Sequence, residues 1–253
     1  MVYFVGAGPG AADLITVRGR ALLERADRII YAGSLVNPAL LDYARAGCDI
    51  YNSAVMTLAE VVEKIEEGHA AGMDIVRLHT GDPCLYGAIR EQMDALRDKG
   101  IPYEICPGVS SFCGAAAALE AEYTLPGLTQ SVIITRAEGR TAVPQREQLS
   151  ALAGHGASMV LFLSAALTRQ VREQLLAGGA YREDTPCAIV YKATWQEEKT
   201  VRGTLGRLPE MAEENGIDKT ALILVGEFLE GEYELSRLYA PDFTTAFRKG
   251  TAP

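Results

Sequence analysis

Three short loops rich in glycine and small polar residues lie in the first half of the sequence, each after a run of β-forming residues. They occupy residues 6–11, 80–83 and 107–111. In an open α/β sheet, the loops at the carboxyl ends of parallel strands converge on one crevice, where ligands bind. We therefore expect the three loops to build one ligand site.

The first loop also fits a dinucleotide-binding motif, since Gly6, Gly8 and Ala11 match the pattern G-x-G-x-x-[G/A]. A nicotinamide-binding fold needs an acidic residue at the end of its second strand to hold the ribose hydroxyls. Here the second strand runs into residues 31–34 without a carboxylate, and Pro9 removes one backbone amide from the loop. These features disfavour NAD(P), although an NAD(P)-binding oxidoreductase stays open as an alternative.

The strand ends do not supply a serine–histidine–acid triad or a pair of glutamates, which predicts chemistry by positioning rather than by a protein nucleophile. The three histidines lie far apart, and the five cysteines form no C-x-x-C pair. We therefore predict no metal site and assign no catalytic residue. An odd number of cysteines favours a reducing compartment over a disulfide framework.

Composition limits the partners of this chain of 253 residues, which has 24 basic and 33 acidic residues and a formal net charge of −9. Nucleic-acid binding requires a clustered basic face, and the basic residues here are scattered. No run approaches the roughly 18 apolar residues of a membrane span, and we see no secretory signal. We expect a cytoplasmic protein without a nucleic-acid or membrane partner.

Strand, loop and helix patterns alternate along the chain, which predicts an α/β fold with mostly parallel or mixed sheets and helices on both faces. The predicted strands are residues 2–5, 29–31, 74–78, 103–106, 131–135, 159–163, 187–191 and 221–225. The predicted helices cover residues 14–26, 38–46, 89–100, 112–119, 145–153, 167–177 and 205–215, with another that begins after Thr57.

A break in this pattern predicts two α/β domains. Turn residues at 123–128 form the expected linker between a first domain of residues 1–122 and a second of residues 129–240. The alternation of Tyr233, Leu235 and Leu238 with polar residues indicates an edge strand, and residues 241–253 are predicted to be a loose tail.

Several motifs together resemble those of the tetrapyrrole methylases, a family that transfers methyl groups from S-adenosylmethionine (SAM) to corrin precursors. The resemblance extends from residue 1 to about residue 240. Its motifs are V-G-A-G-P-G at residues 5–10, G-D-P at 81–83 followed by Tyr86-Gly87, P-G-V-S-S at 107–111, V-Y-K-A-T at 190–194 and G-T-L at 203–205.

Further strings, at residues 31–35, 79–83, 128–130 and 135–141, resemble the branch of this family that methylates C11 of precorrin-4 or cobalt-precorrin-4. Uroporphyrinogen methylases of the family carry an aspartate where this chain has Ala32 and Gly33. The resemblance therefore favours the C11 branch, with methylation of another ring carbon as the alternative.

The resemblance implies a homodimer in which SAM binds in the cleft between two α/β domains. Matching the family's motifs residue by residue predicts SAM contacts from Pro9, Thr80, Gly81, Asp82, Leu85, Ser110, Ser111, Leu163, Ala193 and Ala221. The alternative for Asp82 is that its carboxylate only forms a turn by accepting local amides.

The implied substrate is an anionic tetrapyrrole, a precorrin. Arg136 and Arg140 are predicted to bind it, because they follow a strand and arginine binds carboxylates with two parallel hydrogen bonds. Lys192 and His79 are weaker candidates, since such a lysine often faces water and such a histidine can belong to the core. A tetrapyrrole-binding protein without enzyme activity stays open as another reading.

Overall fold

The computed structural model describes residues 1–33 and 35–251. The chain forms two compact units, one of Met1–Ala118 with Tyr191–Lys199 and one of Leu119–Val190 with Thr200–Pro253. The second unit thus begins before the predicted linker at 123–128. The last two residues of the predicted tail at 241–253 lie outside the described residues.

The first unit is built around a five-stranded parallel sheet with the order β3-β2-β4-β1-β5. Its strands are β1 (Val2–Gly6), β2 (Arg28–Tyr31), β3 (Asp49–Asn52), β4 (Ile75–His79) and β5 (Tyr103–Cys106). Its helices are α1 (Val17–Arg25), α2 (Leu58–Ala70), α3 (Arg90–Asp98) and α4 (Ser111–Ala118). Short 3-10 helices occupy Ala12–Leu14, Pro38–Tyr43 and Ser53–Val55.

Both faces of this sheet are buried, as the alternation of side chains along β4 shows. Val76 and Leu78 belong to a core cluster that includes Leu22 and Leu23 of α1. Ile75 belongs to the opposite cluster, which includes residues of α2 and α3. The prediction of helices on both faces is therefore confirmed for the first unit.

Helix α2 shows how local sequence sets an element. The Thr57 hydroxyl accepts a hydrogen bond from the Glu60 amide, and the Glu60 carboxylate accepts one from the Thr57 amide, so the two residues form a capping box. Val61, Val62 and Ile65 then supply the buried stripe. The predicted start of this helix after Thr57 is confirmed.

The second unit contains a mixed five-stranded sheet with the order β6-β7-β10-β8-β9. Its strands are β6 (Val132–Arg136), β7 (Ser158–Phe162), β8 (Pro186–Tyr191), β9 (Lys199–Thr204) and β10 (Ala221–Val225). Its helices are α5 (Leu149–Ala153), α6 (Thr168–Ala177) and α7 (Leu208–Glu214). Strand β6 runs parallel to β7, whereas β10 runs antiparallel to it. Further 3-10 helices occupy Gln145–Glu147, Ala165–Leu167, Leu205–Arg207, Glu227–Leu229 and Arg237–Tyr239.

Two local predictions are wrong, and two strands were missed. The edge strand expected around residues 233–238 is irregular and ends in the 3-10 helix Arg237–Tyr239, and its apolar side chains stay exposed, Leu235 by 83%. Alternation without a paired neighbour strand therefore did not produce a strand. The helix expected at 38–46 is a shorter 3-10 helix. The sequence analysis missed β3 and β9, because both are polar strands at a sheet edge.

Among the described residues, no helix has both the length and the apolar character that crossing a membrane requires.

Candidate active site

The three glycine-containing loops meet at the carboxyl edge of the first sheet, and backbone hydrogen bonds join two of them directly. The Gly8 amide donates to the Gly81 carbonyl at 3.2 Å, and the Gly81 amide donates back to the Gly8 carbonyl at 2.8 Å. A Cβ atom added to Gly108 would lie 2.3 Å from the Gly81 oxygen and 2.7 Å from the Gly6 Cα. Residues with side chains cannot take this place, so glycine is required where the loops touch.

Asp82 ties the second loop to the third. Its Oδ1 accepts a hydrogen bond from the Cys84 amide and its Oδ2 accepts one from the Gly108 amide, both at 2.8 Å. Partial burial acts to raise the pKa of Asp82, but the hydrogen bonds from Cys84 and Gly108 outweigh it and leave the pKa below its usual value. The carboxylate therefore holds the loops together in its ionised form.

A fourth segment joins the same loops from residues 191–199, which explains why this segment groups with the first unit although it lies inside the predicted second domain. The Ala11 amide donates to the Thr194 hydroxyl at 2.9 Å. A Cβ atom added to Gly10 would lie 2.2 Å from the Trp195 ring and 2.7 Å from the Ala193 carbonyl oxygen. The Trp195 ring thus packs directly on the first loop, and Ala193 is brought beside it.

The structure collects most of the predicted SAM contacts around these loops. Pro9 is buried, and a Cβ atom added to Gly114 of α4 would lie 3.0 Å from its Cβ. Ser110 is buried just before α4, whereas Thr80 and Leu85 are half-buried. The predicted contacts in the first unit are Pro9, Thr80, Gly81, Asp82, Leu85, Ser110, Ser111 and Ala193.

Leu163 and Ala221 lie in the second unit, where they share one edge of the mixed sheet. Ile223 of β10 pairs with Leu161 of β7, and continuing this antiparallel register by two residues places Ala221 opposite Leu163. Leu163 is 66% exposed and has a positive φ of 52°. An exposed leucine held in this unfavourable backbone conformation is typical of a binding surface.

The predicted substrate-binding residues differ in their surroundings. The Arg136 guanidinium donates to the carbonyls of Ala137, Thr141 and Ala142 at 3.3, 3.1 and 2.7 Å, so it orders its own loop. Arg140 is exposed on the same loop. The third predicted residue, Lys192, forms an ion pair with Glu197.

Lys192 Nζ lies 2.9 Å from a carboxylate oxygen of Glu197, and the hydrogen bond between them raises the pKa of Lys192. The ammonium group also lies 5.3 Å from the centre of the Trp195 ring, within cation–π range. Lys192 belongs to the first unit, whereas Arg136 and Arg140 belong to the second.

His79 ends β4 and is only 4% exposed. Burial, with a smaller effect from the nearby Arg77 charge, lowers the pKa of His79 to about 3, so the imidazole is neutral at neutral pH. Its Nε2 is buried and has no hydrogen-bond partner among the described residues. The sequence left His79 open between a core residue and a functional one, and the structure places it at the loop edge with a buried nitrogen that no described residue satisfies.

Sequence reasoning missed Thr194 and Arg77. The role of Thr194 depends on a contact with Ala11, 183 positions away, which no local pattern reveals. Arg77 carried a readable signal, because a charged residue inside the otherwise apolar strand I-V-R-L-H is rarely buried without a reason.

The loops offer small hydroxyls, backbone groups and apolar walls, a combination that suits a nucleoside-like ligand. Among residues 1–33 and 35–251, no three histidine, cysteine, aspartate or glutamate side chains are grouped so that they could hold a metal ion. The arrangement can hold and orient a ligand, and the glycine contacts leave its loops little freedom to move.

Comparison with known proteins gives a consistent result. The profile of the family described as tetrapyrrole (corrin/porphyrin) methylases matches residues 1–209. The cobalt-precorrin-4 C(11)-methyltransferase of Methanocaldococcus jannaschii is 51% identical over 249 residues, which cover 98% of this chain and 96% of that protein. The precorrin-4 C(11)-methyltransferase of Pseudomonas aeruginosa is 45% identical over 251 residues, covering 98% of this chain and 99% of that protein.

Solved structures agree. The X-ray structure of a cobalt-precorrin-4 methyltransferase has a TM-score of 0.88 and 49% sequence identity, covering 90% of this chain and 95% of that one. The uroporphyrin-III C-methyltransferase of Thermus thermophilus, solved in complex with S-adenosylhomocysteine, has a TM-score of 0.75 and 27% identity, covering 90% and 98% of the two chains.

Replacing Gly108 with alanine tests the close contact of the loops. Because the added methyl group would overlap the backbone of Gly6 and Gly81, we expect Gly108→Ala to lower the free energy of unfolding by at least about 2 kcal/mol. Gly154→Ala is the control, since a Cβ atom there meets nothing closer than 3.7 Å. Urea denaturation measures both variants, and equal stability of the two would contradict the role given to Gly108.

The neutral, buried state of His79 predicts a specific pH dependence. As pH falls below about 6.5, the unfolded chain takes up a proton on this histidine while the folded protein resists protonation until about pH 3. Stability should therefore fall with pH, and between pH 7 and pH 5 His79 should account for a loss of about 2 kcal/mol.

Urea denaturation of His79→Gln at the two pH values measures this difference. The variant should lose about 2 kcal/mol less than the wild type, whereas the exposed control His155→Gln should behave like the wild type. Equal pH sensitivity of the wild type and His79→Gln would show that His79 is not held neutral in the folded protein.

Proposed function

Because this chain belongs to the family of tetrapyrrole (corrin/porphyrin) methylases, we propose that it transfers a methyl group from SAM to C11 of cobalt-precorrin-4 or precorrin-4. The observation that carries the proposal is the 51% identity over 98% of the chain to a cobalt-precorrin-4 C(11)-methyltransferase. Uroporphyrinogen methylases carry an aspartate where this chain has Ala32 and Gly33. This difference supports the C11 branch.

The loops of the first unit fit SAM in their chemistry. Hydroxyl groups of Thr80 and Ser111 and the backbone beside them suit ribose and amino-acid groups, and Pro9, Leu85 and Ala193 supply apolar surface for a base. When bound, SAM supplies a methyl group that its sulfonium already activates. The chain does not need a nucleophile of its own for this chemistry.

Gly81 and Asp82 take a supporting role in this proposal. Both backbone hydrogen-bonding groups of Gly81 are engaged by Gly8, and both carboxylate oxygens of Asp82 are engaged by amides. They fix the loop against which SAM lies, which contributes to rate by orientation. The assignment of Leu163 and Ala221 to the same ligand rests on the family resemblance.

Recognition of the substrate requires positive charge, because precorrins carry acidic side chains. Arg136, Arg140 and Lys192 are the proposed partners of these carboxylates. Arg140 is the most available of the three, since Arg136 already binds three carbonyls and Lys192 is paired with Glu197. We also expect a homodimer, as the family resemblance implies, and a cytoplasmic location.

Incubating the purified chain with methyl-labelled SAM and either cobalt-precorrin-4 or precorrin-4 tests the function. We expect label at C11 of one or both substrates, located by NMR, and calorimetric binding of S-adenosylhomocysteine. Label at another ring carbon would assign the chain to a different branch of the family. Absence of both transfer and cofactor binding would overturn the proposal, as would NAD(P)H binding in their place.

Arg140→Ala separates substrate binding from cofactor binding. Losing one charge-assisted hydrogen bond of about 1.5–3 kcal/mol should raise the KM for the tetrapyrrole about tenfold or more, with little change in kcat or in the Kd of S-adenosylhomocysteine. Arg146→Ala, at an exposed arginine paired with Glu147, is the control and should leave KM unchanged. An unchanged KM in Arg140→Ala would remove this residue from the substrate site.

A further inference from the structure

Strand β4 carries two polar side chains on a face of the sheet that is otherwise apolar. Arg77 and His79 alternate with Val76 and Leu78 and therefore share the face of Ile75, which α2 and α3 cover. Strand β4 lies at the centre of the five-stranded sheet. A charge at this depth is costly unless other groups in the protein or a ligand compensate it.

Among the described residues, only neutral groups compensate the charge of Arg77. Its Nε donates to Gln92 Oε1 at 3.0 Å, and its Nη1 donates to the carbonyls of Ile30 and Leu78 at 3.1 and 3.5 Å. Among the described residues, no carboxylate forms an ion pair with it, although it is only 6% exposed. Burial lowers the pKa of Arg77 to about 10, which still leaves it cationic at neutral pH.

Arg28 is a second buried arginine of this unit, and carboxylates compensate its charge. It is 7% exposed, close to the value for Arg77, and its Nη2 donates to Asp49 Oδ2 at 2.9 Å. Glu67 adds a second carboxylate at 3.7 Å. Arg77 thus differs from Arg28 in lacking a counter-ion within the described part of the chain.

The Arg77 side chain lines a cavity of about 250 Å³ within the first unit. Its walls include His79, Thr57, Leu58, Tyr86 and Glu91. His79 also contributes its buried Nε2, which has no hydrogen-bond partner in the part of the chain that the structure describes, so a cation and an unsatisfied nitrogen line the same space. Glu91 carries the only carboxylate among the described lining residues, and its side chain is exposed.

One segment that lines this cavity is held in an unfavourable backbone conformation. Tyr86 and Ala88 have positive φ values of 56° and 49°, and both line the cavity. Between them, a Cβ atom added to Gly87 would lie 2.2 Å from the Pro83 carbonyl oxygen. Backbone strain of this kind persists where the surrounding structure imposes it, and it concentrates at ligand-binding sites.

We propose that this cavity binds a carboxylate side chain of the tetrapyrrole substrate, with Arg77 as its counter-ion and His79 as a hydrogen-bond partner. The proposal rests on the proposed function and adds a substrate-binding residue, Arg77, to it. A guanidinium matches the planar geometry of a carboxylate, and such a charged pair discriminates between a charged and an esterified group. The cavity has room for an acetate or propionate arm.

Binding of uroporphyrin III, a stable tetrapyrrole with acetate and propionate arms, tests the proposal without requiring catalysis. Fluorescence quenching gives the Kd for the wild type and for Arg77→Gln, and we expect the variant to bind at least tenfold more weakly. Arg25→Gln is the control, since it removes one positive charge from α1 over the opposite face, and it should bind within twofold of the wild type. The fully esterified porphyrin should not distinguish Arg77→Gln from the wild type.

Glu91→Lys provides a second variant at an exposed position, in case Arg77→Gln does not fold. Reversing this charge at the cavity wall should tighten uroporphyrin binding severalfold at low salt. Propionate alone, titrated as a competitor, shows whether the cavity takes a free carboxylate as well as an arm of the macrocycle. Equal uroporphyrin affinity of the wild type and Arg77→Gln, or no tightening by Glu91→Lys, would overturn the proposal.

Methyl transfer distinguishes this proposal from the one on which it rests. If the chain methylates cobalt-precorrin-4 at C11 and Arg77→Gln retains the wild-type KM, the function stands and the role of Arg77 falls. If the chain shows no transfer but binds uroporphyrin in an Arg77-dependent way, the cavity stands and the assigned reaction falls.

Discussion

The candidate site depends on one constraint, the contact of backbone with backbone where Gly6, Gly81 and Gly108 meet. A side chain at Gly6 or Gly108 would push the loops apart, because added Cβ atoms there fall within 2.7 Å of backbone atoms. Gly81 is restricted instead by its positive φ of 60°, which residues with side chains rarely adopt. The lack of side chains at these glycines therefore lets three loops meet at one edge of the sheet. The two hydrogen bonds between Gly8 and Gly81 then fix the distance between the first two loops.

Hydrogen bonds to side chains near the glycines stabilise this arrangement further. The ionised Asp82 carboxylate binds the third loop through the Gly108 amide, and the Thr194 hydroxyl binds the first loop through the Ala11 amide. Each of these contacts satisfies a backbone amide that would otherwise need water or a ligand. The loops can therefore orient a ligand without spending binding energy on their own ordering.

Much of the first unit was predictable because its central elements are strongly patterned. The apolar run of β4 and the cap at Thr57 were located to within a residue or two, and the glycine loops were recognised as one cluster. Edge strands β3 and β9 were missed because D-I-Y-N and K-T-V-R-G-T lack the apolar character that a covered strand shows. The contact between Ala11 and Thr194 follows from tertiary structure alone, and the direction of β10 follows from chain topology rather than from any local motif.

The return of residues 191–199 to the first unit has a consequence for synthesis of the protein. When Ala118 leaves the ribosome, the parallel sheet is complete, but the Ala11 amide and the surface of Gly10 still lack Thr194 and Trp195. At typical elongation rates, those partners emerge on the order of several seconds later. The nascent chain therefore completes its parallel sheet first, and its first loop gains the contacts with Thr194 and Trp195 only afterwards.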